Sequence, residues 1–191
     1  MKTLVAHIAA WLFRKMEGAE LHLVLRRLRA SGQHSIDGSA AFGRRVEVRI
    51  ADGARFEIGA GAQVLHDSWL IAHPGDTLRL EEQVFISQHC TVSGSVRIGR
   101  GTLIGGFVTI IDSNHRFDDN ERPVREQGGE SAPIDIGADV WIGSNVVILP
   151  GVSIGDHAVI AANATVTHDI PAWAVAAGTP ARPLRDRREG S

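Results

Sequence analysis

Aliphatic residues recur at every sixth position from Ile136 to Val166. Ile136, Ile142, Ile148, Ile154, Ile160 and Val166 head consecutive blocks, and the fifth place of those blocks holds Val140, Val146, Val152, Ala158, Ala164 and Ile170. The fourth place holds Asp139, Asn145, Gly151, His157, Asn163 and Asp169. Gly takes a positive φ freely, and Asn, Asp and His take it more readily than other residues. A helix would space its apolar residues near 3.6 positions, and a half-buried strand would alternate them. A period of six instead predicts a short extended segment, a bend, and a further short segment. Three such sides make a triangular coil of about eighteen residues, whose stacked turns pair as parallel strands and bury their apolar faces only against one another. A fixed repeat of this kind sets the architecture before local propensity does.

The same register is legible upstream at Leu80, Ile86, Val92, Ile98, Ile104 and Ile110, and again around Ile58–Ala62 and Val64–Ser68. Between Ile36 and Arg55 it is poor, although Val46, Val48 and Ile50 suggest a strand. Pro74-Gly75 breaks the count between Leu70 and Arg79 and predicts a small bulging loop. His89 and His157 fall in the turn column and read as turn residues, and Cys90 falls in the small buried column and reads as core. Phe107 also stands in the turn column, where an aromatic residue is unusual.

Ahead of the repeat, Leu4, Val5, Ile8, Leu12, Phe13 and Met16, then Leu21, Val24, Leu25 and Leu28, follow helical spacing beside Arg26, Arg27 and Arg29. The apolar run there is too short to span a bilayer and lacks a small-residue cleavage site. It predicts either a helical cap over the open end of the coil or a basic amphipathic helix on a membrane surface. The organisation that follows is an N-terminal helical segment at 1–35, a coil at 36–170 interrupted by a loop at 112–133, and a tail at 171–191. The fold class is all-β.

Composition narrows the partners. The chain has 191 residues and a formal net charge of −2, so no global electrostatic case for nucleic acid exists. Its 21 glycines and absent tyrosine suit a turn-rich solenoid with a thin aliphatic core. The single Cys90 excludes an intrachain disulfide framework and is compatible with a reducing, cytoplasmic location.

The repeat is lost between Ile110 and Ile136, in a polar insert with Gly128-Gly129 and two prolines. A long loop inside a compact domain is usually functional or disordered. His115 lies near its start, flanked by Asp112, Asn114, Asp118 and Asp119, where the coil should still anchor it. Histidine is suited to take and return a proton near neutral pH. An ordinary exposed loop histidine explains the same residues, and the pattern alone does not choose.

The hexads resemble those of the hexapeptide-repeat acyltransferases, and that resemblance implies a left-handed parallel β-helix. Asp112-Ser113-Asn114-His115 is similar to the segment that carries the catalytic histidine of sugar and xenobiotic acetyltransferases in that superfamily. The stretches Asp139–Asn145, Pro150–Gly155 and Ala176–Arg182 resemble the acetyl-CoA-binding region of the maltose, galactoside and nodulation-factor O-acetyltransferases. The likeness covers about 110–185. It implies His115 as general base, with Asp112 and Asn114 orienting it or contacting the acceptor. It implies a homotrimer whose pantetheine groove lies between subunits. Trp141 would wall that groove, the Ser144 amide would lie near the thioester oxygen, and Ala162 would hold the pantetheine arm. Thr167, Arg182 and Arg185 would reach the nucleotide end, where Arg forks pair well with phosphate. His168 stands where family members commonly have Lys, which puts its own phosphate contact in doubt.

The function implied is transfer of an acetyl group from acetyl-CoA, as co-substrate, to a hydroxyl of a sugar or surface glycan. The runner-up is N-acetylation of an amino sugar or a xenobiotic. A carbonic-anhydrase-type zinc protein would need three converging histidines, with His66, His89 and His115 available, but the close His pair of that family is missing and no metal site is expected. A silent scaffold is the remaining alternative. The expected location is the cytoplasm, at the inner face of the membrane if the N-terminal helix makes peripheral contact there.

Overall fold

The computed structural model describes residues 34–189, together with Leu23, Leu25, Arg26 and Leu28 of a helix. The rest of the helical segment expected at 1–35, up to residue 33, lies outside the described residues. Within them the chain winds as a parallel β-helix with three faces. The first face runs from Ser35–Ile36 to Ser153–Ile154, the second from Ala41–Phe42 to Ala181–Asp186, and the third from Glu47–Ile50 to Thr165–Val166.

The hexad explains the winding directly. On the first face Ile36, Ile58, Leu80, Ile98, Ile136 and Ile154 pair in register, one above the other. On the third, Val48, Leu70, Val92, Ile110, Ile148 and Val166 do the same. These columns point inward and are buried, as are Val140, Val146, Val152, Ala158, Ala164 and Ile170 beside them. Each fully buried aliphatic side chain contributes about 1.5–3 kcal/mol relative to exposure. The bends fall where the turn column places them: Asp139, Asn145, Gly151, His157 and Asn163 have φ between 52° and 78°. Asp169 does not join them; its Oδ1 accepts the Ser153 N–H at 2.8 Å instead.

The poor period near the start has a structural cause. Ile36 pairs with Ile58, and Ile58 with Leu80, each 22 residues on, whereas Leu80 pairs with Ile98, 18 residues on. The first coils therefore carry four extra residues, placed where the third face turns into the first. Longer strands flank turns at Gly53 and Gly75 there, and both glycines have positive φ. The coil is continuous from Ser35; only its corner is larger.

The 112–133 insert leaves from the same corner and is ordered. Ser113–His115 pairs antiparallel with Gly129–Ser131, and a short 3-10 turn at Val124–Glu126 lies between them. The coil resumes across the insertion without a slip, because Ile98 pairs with Ile136 and Ile104 with Ile142. Thr102, fully buried, bridges the two coils: its Oγ1 donates to Gly137 O at 2.8 Å and accepts the Val140 N–H at 3.2 Å.

At the far end Ala174–Gly178 adds to the second face, and Ala181–Asp186 folds back antiparallel as its edge strand. Near the other end Leu25 is buried in the core and Leu28 packs against it. No helix among the described residues is long and apolar enough to cross a membrane.

Candidate active site

His115 stands on the hairpin, opposite Gly129 and exposed. Asn114 beside it is exposed too, opposite Glu130. What fixes the hairpin is Asp112, only 3% exposed. Its backbone N–H donates to Ser93 O at 3.2 Å and its carbonyl accepts the Ala132 N–H at 2.8 Å, closing the base of the hairpin. Its carboxylate Oδ2 accepts the Ser95 N–H at 2.7 Å. Gly94, with φ +100°, leaves the space that this carboxyl occupies; a Cβ there would coincide with it. Burial pushes the Asp112 carboxyl above its ordinary value, opposed by the Ser95 N–H and reinforced by the Asp76 carboxylate. Asp112 is thus engaged by the preceding coil beneath the hairpin. A small polar group surrounds it: His73 N donates to Asp76 Oδ2 at 2.7 Å, Ser95 Oγ to Asp76 Oδ1 at 3.1 Å, and Ser93 Oγ lies 3.5 Å from His73 Nε2.

The other expected site residues gather elsewhere. Trp141, 56% exposed, projects outward from the second face between Leu103, 51% exposed, and Val159. Ser144 and Ala162 sit one above the other where the second face turns into the third. Gly143 makes that approach close: a Cβ on it would stand 2.6 Å from Ala162 N. Asn163 N donates to Ser144 O at 2.9 Å, while no described residue accepts the N–H of Ser144 or Ala162. Two backbone donors on one corner are therefore without an acceptor among the described residues. Thr167 Oγ1 lies 2.7 Å from His168 Nδ1, and Arg182 and Arg185 are exposed on the edge strand. Trp141, Ser144 and Ala162 come together, but His115 does not join them within one chain. It leaves from the third-to-first corner and they occupy the second face and its second-to-third corner.

Two groupings went unread in the sequence, although it offers His66 and His89 of the second as zinc ligands beside His115. The first is a clasp on the tail. His157 Nδ1 lies 2.9 Å from Asp139 Oδ2, and the His157 ring stacks on Trp173 at 4.0 Å. Arg187 N donates to Trp173 O at 2.7 Å and its Nη1 to His157 O at 3.2 Å, while Arg188 lies over the Trp173 ring at 5.5 Å. The hydrogen bond from His157, with Arg187 nearby, holds the Asp139 carboxyl below its ordinary value. The Arg188 guanidinium draws Asp186 down to about 2. The second grouping is His66, Asp67 and His89, whose ligand atoms all lie within 4.8 Å of one another. The six-residue spacing marked His89 and His157 as bends, and the 22-residue coils that stack the first of them were not visible. Cys90 is core, as its column predicts: burial raises its thiol, which donates to Gly105 O at 3.1 Å.

The bacterial transferase hexapeptide (six repeats) family model matches residues 133–168. An Escherichia coli protein, the putative lipopolysaccharide biosynthesis O-acetyl transferase WbbJ, is 33% identical over 70% of this chain and 69% of its own length. The chain belongs to the hexapeptide-repeat acyltransferase family. A second relative of this hexapeptide-repeat protein, a probable acetyltransferase of Mycobacterium tuberculosis, is 31% identical over 86% of the chain and 56% of the relative. The chain thus spans about half the length of that curated relative. Among solved structures, a hexapeptide-repeat-containing acetyltransferase of Vibrio cholerae complexed with acetyl coenzyme A superposes with a TM-score of 0.56 at 28% identity. That match covers 88% of this chain and 77% of the other.

Proposed function

We propose that the protein transfers an acetyl group from acetyl-CoA to a hydroxyl of a sugar or surface glycan, with His115 as general base. The observation that carries this reading is an exposed imidazole on a hairpin that a buried carboxylate fixes to the coil. The acceptor hydroxyl gives its proton to His115 as its oxygen attacks the thioester carbon. The N–H of Ser144 stabilises the oxyanion, and coenzyme A leaves as the thiol on receiving the proton from His115. General-base catalysis supplies about 10²–10⁴-fold, and positioning of both substrates must supply much of the remainder.

The active unit in this proposal is a homotrimer. His115 and Ser144 occupy different corners of successive coils, so a neighbour's hairpin completes each site. The apolar row of Phe85, Leu103, Trp141 and Val159 on the second face gives such a neighbour a surface to cover. Ala162 would hold the pantetheine arm, and Thr167, Arg182 and Arg185 the nucleotide end. Asn114, beside His115, would meet the acceptor. The reaction is placed in the cytoplasm.

The test is acetyl-CoA-dependent thiol release across sugar and amine acceptors. Hydroxyl acceptors should support turnover, and His115→Ala should lower it by about 10²–10⁴-fold with folding unchanged. Turnover confined to amines would replace O- by N-transfer. Near-full activity in His115→Ala would overturn the mechanism.

A further inference from the structure

The second-to-third corner that carries Ser144 and Ala162 continues towards the N-terminal coils through Phe107, His89 and the His66–Asp67 pair. Asp67 and His89 both hold the left-handed turn conformation, with φ 59° and 57°. His89 N donates to His66 O at 3.1 Å, which places His89 one coil above His66 and Asp67. Coils in a β-helix are spaced as neighbouring strands are, about 4.8 Å apart, so side chains at equivalent turn positions meet. Here the meeting brings two imidazoles and a carboxylate into one cluster. The His66 and His89 rings pack edge to face at 5.8 Å. His89 is backed on its other side by Phe107, stacked at 4.8 Å with 13° between the rings. Asp67 is steadied from below by the Arg45 fork, at 2.5 and 2.7 Å.

This arrangement also gives Phe107 a role. It is 55% exposed and has a φ of 61°, a conformation disfavoured for a bulky residue. The turn column imposes that φ here, as it does at His89, Asn145 and Asn163. Phe107 buries little, but its ring lies flat against the His89 imidazole and packs on one face of it.

We infer that His66, Asp67 and His89 form a binding site for a borderline divalent transition-metal ion of the zinc, cobalt or nickel class. Two imidazoles and one carboxylate suit those ions and not calcium or magnesium, which take oxygen ligands. With metal–ligand bonds near 2.0–2.2 Å, ligand atoms around a tetrahedral ion lie about 3.4 Å apart. The ligand atoms here lie within 4.8 Å of one another, so rotation of the exposed imidazoles closes the set. The Arg45 fork uses one lone pair of each Asp67 oxygen and leaves others for an ion. Water fills the remaining coordination position. The ion would act as a clip between two coils: it ties His89 to residues one turn below, and in the unfolded chain that geometry is absent. Binding to the native state alone raises the melting temperature with ion concentration.

The test uses the full chain, stripped with a chelator and titrated with cobalt(II) and then zinc(II), read by visible absorption, calorimetry and thermal melting. One equivalent per chain should bind saturably, and zinc should raise the melting temperature. Because the imidazoles must be neutral to ligate, binding should weaken on acidification. His66→Ala and His89→Ala should each weaken binding by at least about tenfold, and both imidazoles are exposed, so folding is retained. Asp67→Asn should weaken it less, since an amide oxygen remains. His115→Ala should bind as the parent does, which separates this site from acetyl transfer. Absence of saturable binding to the parent protein, or undiminished binding by the His66→Ala/His89→Ala double variant, would overturn the assignment.

Discussion

The carboxyl group of Asp112 fills the space that the missing side chain of Gly94 leaves open, and from there accepts the Ser95 N–H at 2.7 Å. The two residues lie on successive coils at the corner from which the His115 hairpin departs. Their fit ties the position of the hairpin to the body of the coil.

Gly94→Ala should therefore displace Asp112. The new Cβ collides with the carboxyl, and φ +100° strains any L side chain, so we expect a loss of about 1–3 kcal/mol together with reduced thiol release. The double variant Gly94→Ala/Asp112→Ala removes the collision. It should regain part of the stability but not the activity. Denaturant melts and turnover on the same samples decide this, and full activity in Gly94→Ala would show that the fit does not position His115.

The burial of Asp112 has a signature in pH. Its folded carboxyl titrates above the ordinary 3.8, so the folded state holds the proton more tightly than the unfolded chain. Between those two values the native state binds more protons, and stability falls as pH rises through the window. Asp112→Asn keeps an acceptor for Ser95 and abolishes the titration. Relative to the parent, the variant should gain stability as pH rises across that range. Parallel melting curves at all pH values would contradict the prediction.

The tail clasp behaves in the opposite sense. Asp139 is held below its ordinary value by His157 and then by Arg187. Its contribution is present above the unfolded carboxylate pKa and is lost as pH falls through the depressed folded one. Trp173→Ala removes the ring under His157 and Arg188, and should loosen the strand carrying Arg182 and Arg185. Under the proposed function, KM for acetyl-CoA rises several-fold while kcat changes little. An unchanged KM would mean that the clasp does not position those arginines.

Thr102→Val tests the splice across the hairpin. The buried hydroxyl serves Gly137 O and the Val140 N–H, and its loss leaves both without that partner in the interior. Such a change costs about 1–3 kcal/mol. A melt within error of the parent would indicate that the coils on either side of the insert join without this bridge.

The sequence by itself determined the coil, because a solenoid's core is made of near neighbours. The columns headed by Ile136 and Val140, the bends at Asn145 and Asn163, and the burial of Cys90 all follow from a six-residue period that each coil repeats. The loss of that period also isolated His115. Tertiary structure decided what depends on coils whose length departs from eighteen residues and on segments outside the repeat. Longer corners at Gly53 and Gly75 change the coil from 18 to 22 residues, so the pairing of Asp67 with His89 cannot be counted from the hexad. The closure of Trp173 and Arg187 on His157, and the placing of His115 and Ser144 on different corners, likewise lie beyond the unbroken period. Each joins or parts residues distant in sequence, through a stacking register that a periodic pattern contains only where the period is unbroken.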